Sequence, residues 1–210
     1  MNKSYKTVKL NSSGEFVEKR SRFIGYAKPV KTEQEAQEFI SKIKKEHWDA
    51  RHNCYAYILR ESGVKRYSDD GEPQGTAGVP MLDVLEKNEI VDVCVVVTRY
   101  FGGVLLGTGG LVRAYSKAAK LGLEASEIIT MTMCSECTLS CSYNQYGKLN
   151  TLIINNGGVV DDTVYEDNVK LVFHIPSDKI DALKKNTADA TAGEIEIEII
   201  DEKYYETDEK

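Results

Sequence analysis

A two-domain α+β protein is predicted by three features of the sequence. VDVCVVVTRY, residues 91–100, is a nearly continuous β-branched apolar run, the pattern of a central strand covered on both faces. LVRAYSKAAKLGLEASE follows with Leu111, Ala114, Tyr115, Ala118 and Gly122 on one side of a helix, and its small residues permit close approach to a sheet. After about residue 128 the order of elements resets to β-α-β-β-α-β, the split βαβ or ferredoxin-like arrangement.

The first domain, residues 1–128, opens with strands broken by turns: TVKL, a turn at NSSG, then EFVEK and RFIGYAKPV. TEQEAQEFISKIKKEH, residues 32–47, places Ala36, Phe39, Ile40 and Ile43 at helical spacing, with Thr32 as N-cap and Glu35 completing a capping box. HNCYAYILR, residues 52–60, reads as a strand. SGVKRYSDDGEPQG is turn-rich, and a short helix follows from near Thr76, with Pro80 tolerated in its first turn. In the second domain, residues 129–203, TMTMCSECTLSCSY is a strand and NQYGKLNTLIINN a helix. GGVVDDTVYED and NVKLVFHIP are strands joined at Asp167-Asn168, SDKIDALKKNTAD is a helix capped by Ser177, and GEIEIEII is a half-exposed strand. DEKYYETDEK is charged, and its end, residues 204–210, is expected to fray.

The chain has 210 residues, 41% of them hydrophobic, which is enough to bury a sizeable core. No apolar run reaches the ~18 residues of a transmembrane helix, and MNKSYKTVKLNSSG lacks a signal-peptide core, so a cytoplasmic protein without membrane association is expected. Five cysteines without a dense framework indicate a reducing compartment. The net charge of −6 is unevenly divided, +3 over residues 1–128 and −9 over residues 129–210. A mildly basic first half can meet RNA or an acidic surface, whereas the acidic half repels phosphate backbones unless its lysines cluster.

TRYFGGVLLGTGGLVRAY, residues 98–115, carries five glycines between strand and helix. It is no P-loop, because Thr108 stands where a lysine must neutralise phosphates and Gly109 where a hydroxyl must reach Mg²⁺. The dinucleotide pattern also fails, since Val112 occupies the last glycine position. Two readings stay open: tight packing of backbone, or a single anion held by the amides of Gly109 and Gly110 with Arg113 one turn in and Arg99 at the strand end. SDDGEPQG gathers Asp69, Asp70 and Glu72, either as ligands of a hard cation or as turn formers. His47, His52 and His174 lack partners at fixed spacing. Cys134-x-x-Cys137 with Cys141 is only half a zinc pattern, and Cys54 with His52 lacks an orienting third group, so neither a metal, a cofactor nor a catalytic residue is assigned.

RHNCYAYILR, YSDDGEPQGTAGVPMLDVL and VVVTRYFGGVLLGTGGLVRAYSKAA, in this order and spacing, resemble the signature of the Impact N-terminal family in its bacterial two-domain form. The resemblance covers nearly the whole chain. It implies a first domain like domain 2 of ribosomal protein S5 and domain IV of elongation factor G, and a second like the C-terminal domain of that factor. In eukaryotic relatives the Impact domain restrains a stress-responsive translation kinase, a role tied to a further N-terminal module and not carried over here. A proline dipeptidase label borne by some bacterial members finds no two-metal carboxylate-histidine set in this sequence.

Together these readings predict a translation-associated regulatory protein that binds RNA, the ribosome or a translation-related protein without catalysis. Arg99 and Arg113 are the phosphate contacts, His52 and Tyr100 the stacking or polar ones, and the 68–72 turn orients the surface. The alternatives are an enzyme or small-anion or metal binder with a pocket between residues 68–73 and 98–110, and a protein-protein adaptor using the acidic sheet. No motif for sequence-specific DNA binding is present.

Overall fold

β6 (Val93–Tyr100) is the strand around which the first unit is built. Its side chains alternate between two cores: Val93, Val95 and Val97 enter one, Cys94 and Val96 the other. The run must therefore be apolar throughout, as the sequence shows. The computed structural model describes residues 4–207 and divides into two units, residues 5–130 and, with residue 4, residues 131–207. No helix among the described residues is long and apolar enough to cross a membrane.

In the first unit, β1 (Ser4–Val8) is followed by a five-stranded sheet in the order β2-β3-β6-β4-β5, with β2 (Ser12–Glu18), β3 (Ser21–Pro29), β4 (His52–Ile58) and β5 (Lys65–Ser68). Every pairing in this sheet is antiparallel. α1 (Glu33–Glu46) covers one face, burying Ala36, Phe39, Ile40 and Ile43. Its first turn is capped by Thr32, whose Oγ1 accepts the Glu35 N–H, while the Glu35 carboxylate reaches back to the Lys31 amide. α2 (Gly78–Lys87) and α3 (Thr108–Ala125) cover the other face, contributing Met81, Leu85, Leu111, Tyr115 and Leu123.

Two sheet glycines determine how close α3 comes. A Cβ on Gly25 would sit 1.9 Å from the Ala118 carbonyl oxygen, and one on Gly14 would sit 2.9 Å from that of Leu121. Gly14 thus lies within β2, and the turn expected at NSSG falls earlier, at residues 9–11. The glycine serves helix-on-sheet packing there and not chain reversal.

In the second unit β7 (Ile128–Cys141), α4 (Tyr143–Asn155), β8 (Val159–Tyr165), β9 (Val169–Pro176), α5 (Ile180–Thr191) and β10 (Glu198–Thr207) give the β-α-β-β-α-β order. β8, β9 and β7 are adjacent in that order, and β10 pairs with β7. α4 and α5 pack Leu149, Ile153, Ile180 and Leu183 on Cys137, Leu139, Leu171 and Phe173. Three expectations change here. Ser177 does not cap α5, whose N-cap is Lys179; the Ser177 hydroxyl instead accepts from Ser135 Oγ at 3.0 Å. GEIEIEII is only partly strand, because Ile195 and Ile197 enter the core before β10 starts at Glu198. The charged end does not fray through residue 207: Lys203 Nζ lies 2.8 Å from Glu136, the Tyr205 hydroxyl donates to the same carboxylate, and the Tyr205 ring stacks on His174 at 3.9 Å. Residues 208–210 of that expectation lie outside the described residues.

Candidate functional site

Period-two alternation separates residues that are neighbours in sequence. Arg99 points to the α2/α3 side of the sheet, paired across the strands with Phe23 on β3 and His52 on β4. Tyr100 points to the α1 side, where its hydroxyl meets His47 Nδ1 at 2.8 Å and donates to Asp49 at 3.2 Å. The Tyr26 hydroxyl meets the other ring nitrogen of His47 at 2.6 Å. Burial first, and for Tyr100 the bond to Asp49 second, raises the pKa of both tyrosines above the usual value. Arg99 and His52 therefore share a site that excludes Tyr100.

Arg99 is only 5% exposed and is neutralised internally. Its Nη1 donates to Glu72 Oε1 at 2.5 Å, and the Tyr115 hydroxyl donates to the same oxygen at 2.8 Å. Its Nη2 reaches Ser21 Oγ at 3.4 Å, and the guanidinium lies between the rings of Phe23 and Phe101, 5.4 and 5.5 Å from their centroids. An ion pair this deeply buried holds a unique geometry but leaves little net charge for an external phosphate backbone. Burial, reinforced by Cys54 and Glu72, pushes the Tyr115 hydroxyl strongly upward. It also pushes the Cys54 thiol up, so Cys54 carries no thiolate nucleophile.

The three acidic residues of the SDDGEP turn are committed to separate tasks. The Asp69 carboxylate accepts the N–H groups of Gly75, Ala77 and Gly78 at 2.8–3.0 Å and so caps α2, which has no side-chain cap at Ala77. Asp70 accepts the Asn53 amide and Lys44 Nζ, both at 2.7 Å, and its carbonyl oxygen lies 2.8 Å from His52 Nδ1. Glu72 turns inward to Arg99. The carboxylates do not converge, and among the described residues no cluster of three or more His, Cys, Asp or Glu side chains is arranged to hold a metal. The turn reading of Asp69 and Asp70 accounts for both residues.

The turn and the glycine-rich segment meet around a cavity of about 340 Å³ lined by His52, Glu72, Arg99, Phe101, Leu106 and Leu111, with Arg51, Pro73 and Thr108 around them. Gly102 permits this: a Cβ there would lie 2.0 Å from the backbone of Arg20. Gly107, at φ 70°, breaks the chain into α3, so the helix starts at Thr108, three residues before the apolar periodicity shows it.

Arg113 lies elsewhere. With Lys19, Lys117 and Gly110 it lines a second hollow of about 230 Å³ that also contains Phe16 and Glu18 and shares Leu106 with the cavity. Gly109 stands beside it, since a Cβ there would be 3.7 Å from Arg113 Nη1. Lys117 Nζ lies 4.3 Å above the Phe16 ring. The expected pairing of Arg99 with Arg113 at one anion is not formed. Lys19, Lys117 and Arg51 escaped the sequence reading, and His47 was set aside there for want of partners at fixed spacing, because their place depends on a hairpin, a helix face and a strand register that no local motif records.

An Impact N-terminal domain model matches residues 19–123, and a domain of unknown function, DUF1949, matches residues 139–194. IMPACT family member YvyE of Bacillus subtilis (strain 168) is 42% identical over 195 residues, covering 92% of this chain and 90% of that protein. IMPACT family member YigZ of Escherichia coli (strain K12) is 35% identical over 187 residues, covering 88% and 92%. A solved structure described as "Crystal structure of an hypothetical protein" superposes with a TM-score of 0.60 at 32% identity, covering 96% of this chain and 99% of that one. The cavity lies within the segment matched as the Impact N-terminal domain, as does the basic hollow apart from Phe16 and Glu18, and the chain belongs to the Impact family.

Proposed function

We propose that the protein is a translation-associated regulator that binds RNA, without catalysis, through the basic hollow of Lys19, Arg113 and Lys117. A regulatory role fits membership of the Impact family. The observation that carries the RNA reading is the state of these cations: among the described residues none of the three is paired with a carboxylate, and all are exposed along the first half of the 18-residue α3 and the β2–β3 turn beside it. Phe16, half-buried under Lys117, adds an aromatic face for a base.

The β2–β3 turn strengthens the reading. Glu18 pairs with Ser21, so Lys19 and Arg20 form a two-residue hairpin turn, both with positive φ, 46° and 66°. Asn-Gly relieves such a turn, whereas two long cationic side chains strain it by roughly 1 kcal/mol each. Basic side chains standing where backbone preference opposes them have a role outside folding.

The test is binding of purified ribosomes and ribosomal RNA across a salt series. Affinity falls as salt rises, and Lys19→Glu, Arg113→Glu and Lys117→Glu together abolish it, each neutralised cation lowering the salt slope by about 1. Lys19→Asn with Arg20→Gly stabilises the fold while weakening RNA binding. No binding at low salt, or ribosome binding that survives the triple variant, overturns the reading in favour of a protein partner.

A further inference from the structure

We propose that the cavity between the SDDGEP turn and α3 binds a small organic anion that carries a primary amino group on a flat apolar body. The inference begins with His52. The Asp70 carbonyl can only accept, so His52 Nδ1 bears the proton and, in the neutral ring, Nε2 is a lone pair. That lone pair lies 3.8 Å from Glu72 Oε1, another acceptor, and the two side chains are only 10% and 3% exposed. Glu72 Oε1 is already filled by Arg99 and Tyr115, so the open acceptor here is the His52 lone pair, which one N–H of an amino group satisfies. Glu72 Oε2, the second oxygen of the carboxylate, takes no hydrogen bond from the described residues, and it adds acceptor capacity on the same wall.

The remaining walls specify the rest of the ligand. Phe101, Leu106 and Leu111 form an apolar slot that suits a ring. Glu72 and Arg99 cancel each other's charge, so the excess positive potential comes from Arg51 and from the start of α3, which lacks a side-chain cap. Arg51, whose guanidinium carbon lies 5.7 Å from the Phe101 ring centroid, stands where it can hold an anionic group beside that slot. A volume of about 340 Å³ accommodates a nucleoside monophosphate or an aromatic amino acid and is small for a dinucleotide. In the nucleotide the exocyclic amine and the phosphate stand at opposite ends, whereas in the amino acid the amine and the carboxylate share one carbon beside the ring. The cavity shares Leu106 with the basic hollow but none of its cations, so this inference does not rest on RNA binding.

Calorimetry and thermal shift on the full chain test it with matched pairs: adenosine against inosine monophosphate, cytidine against uridine monophosphate, and phenylalanine against 3-phenylpropionate. At least one amino-bearing member binds and raises the melting temperature, and its partner without the amine binds at least about tenfold more weakly. Which pair responds separates the nucleotide source from the amino-acid source. His52→Leu, and independently Leu106→Trp, which fills the slot without touching the polar cluster, each remove binding by variants shown to unfold cooperatively. Lys19→Glu with Lys117→Glu leaves it unchanged. Absence of binding by every probe at ~5 mM, equal binding within each pair, or binding indifferent to both cavity variants overturns the proposal.

Discussion

Glu72 shows how one side chain can organise a site. Its Oε1 takes both the Arg99 guanidinium and the Tyr115 hydroxyl, with side-chain exposures of 3% for Glu72 and 6% for Arg99. Losing one member of such a pair leaves an uncompensated buried charge, at a cost of about 3–5 kcal/mol. Glu72→Gln therefore destabilises the first unit by roughly 3 kcal/mol, and adding Arg99→Met restores a large part of it, as read from urea unfolding midpoints. Simple addition of the two single losses would show that the pair is not coupled. From sequence, Glu72 reads as one of three turn carboxylates. Only the strand register that sets Arg99 between Phe23 and His52 separates it from Asp69 and Asp70.

Among the elements, α3 and the strands beneath it carry the clearest rule. The glycines that admit the helix are legible as small residues, yet which of them touch backbone depends on the crossing of helix and sheet. Gly25→Ala forces a methyl against the Ala118 carbonyl and destabilises by about 1–3 kcal/mol, with α3 displaced. Gly147, exposed within α4 with nothing within 4 Å of where a Cβ would stand, behaves oppositely. Gly147→Ala stabilises by about 0.8 kcal/mol, through helix propensity alone. Chemical denaturation of both variants checks the contrast, and equal signs would refute the packing argument. Helix boundaries follow the same logic: Thr32 caps α1 as expected, whereas Ser177 is diverted from α5 by a hydroxyl on a neighbouring strand.

For the molecule as a whole, the uneven charge gives the second unit its own dependence on pH. A hydrogen bond from Lys203 and then one from Tyr205 hold the Glu136 carboxyl below the usual carboxylate range. The Glu202 amide and Lys203 do the same for Asp201. Unfolded chains bind these protons at higher pH, so the stabilisation is present above the ordinary carboxylate range and is lost as pH falls through the lowered values. At the alkaline end Glu136 raises Lys203, and it raises Tyr205 to about 12. That stabilisation is complete below the ordinary tyrosine and lysine range and is lost as pH rises through the raised values. Unfolding midpoints against pH should show a plateau between these limits, with both limbs flattened by Glu136→Gln. An unchanged acid limb in that variant would assign acid sensitivity to other groups.

By itself the sequence determined the α+β class, the β-α-β-β-α-β order, the central strand and the family. Each depends on local periodicity or on long motif blocks, which a linear chain carries in full. Tertiary structure alone decided which charges are available. Arg99 and Arg113 stand fourteen positions apart at the two ends of one motif, yet the first is sealed against Glu72 and the second opens beside Lys19 and Lys117. A charge counts for binding only when nothing in the fold has already neutralised it, and that is settled by residues distant in sequence.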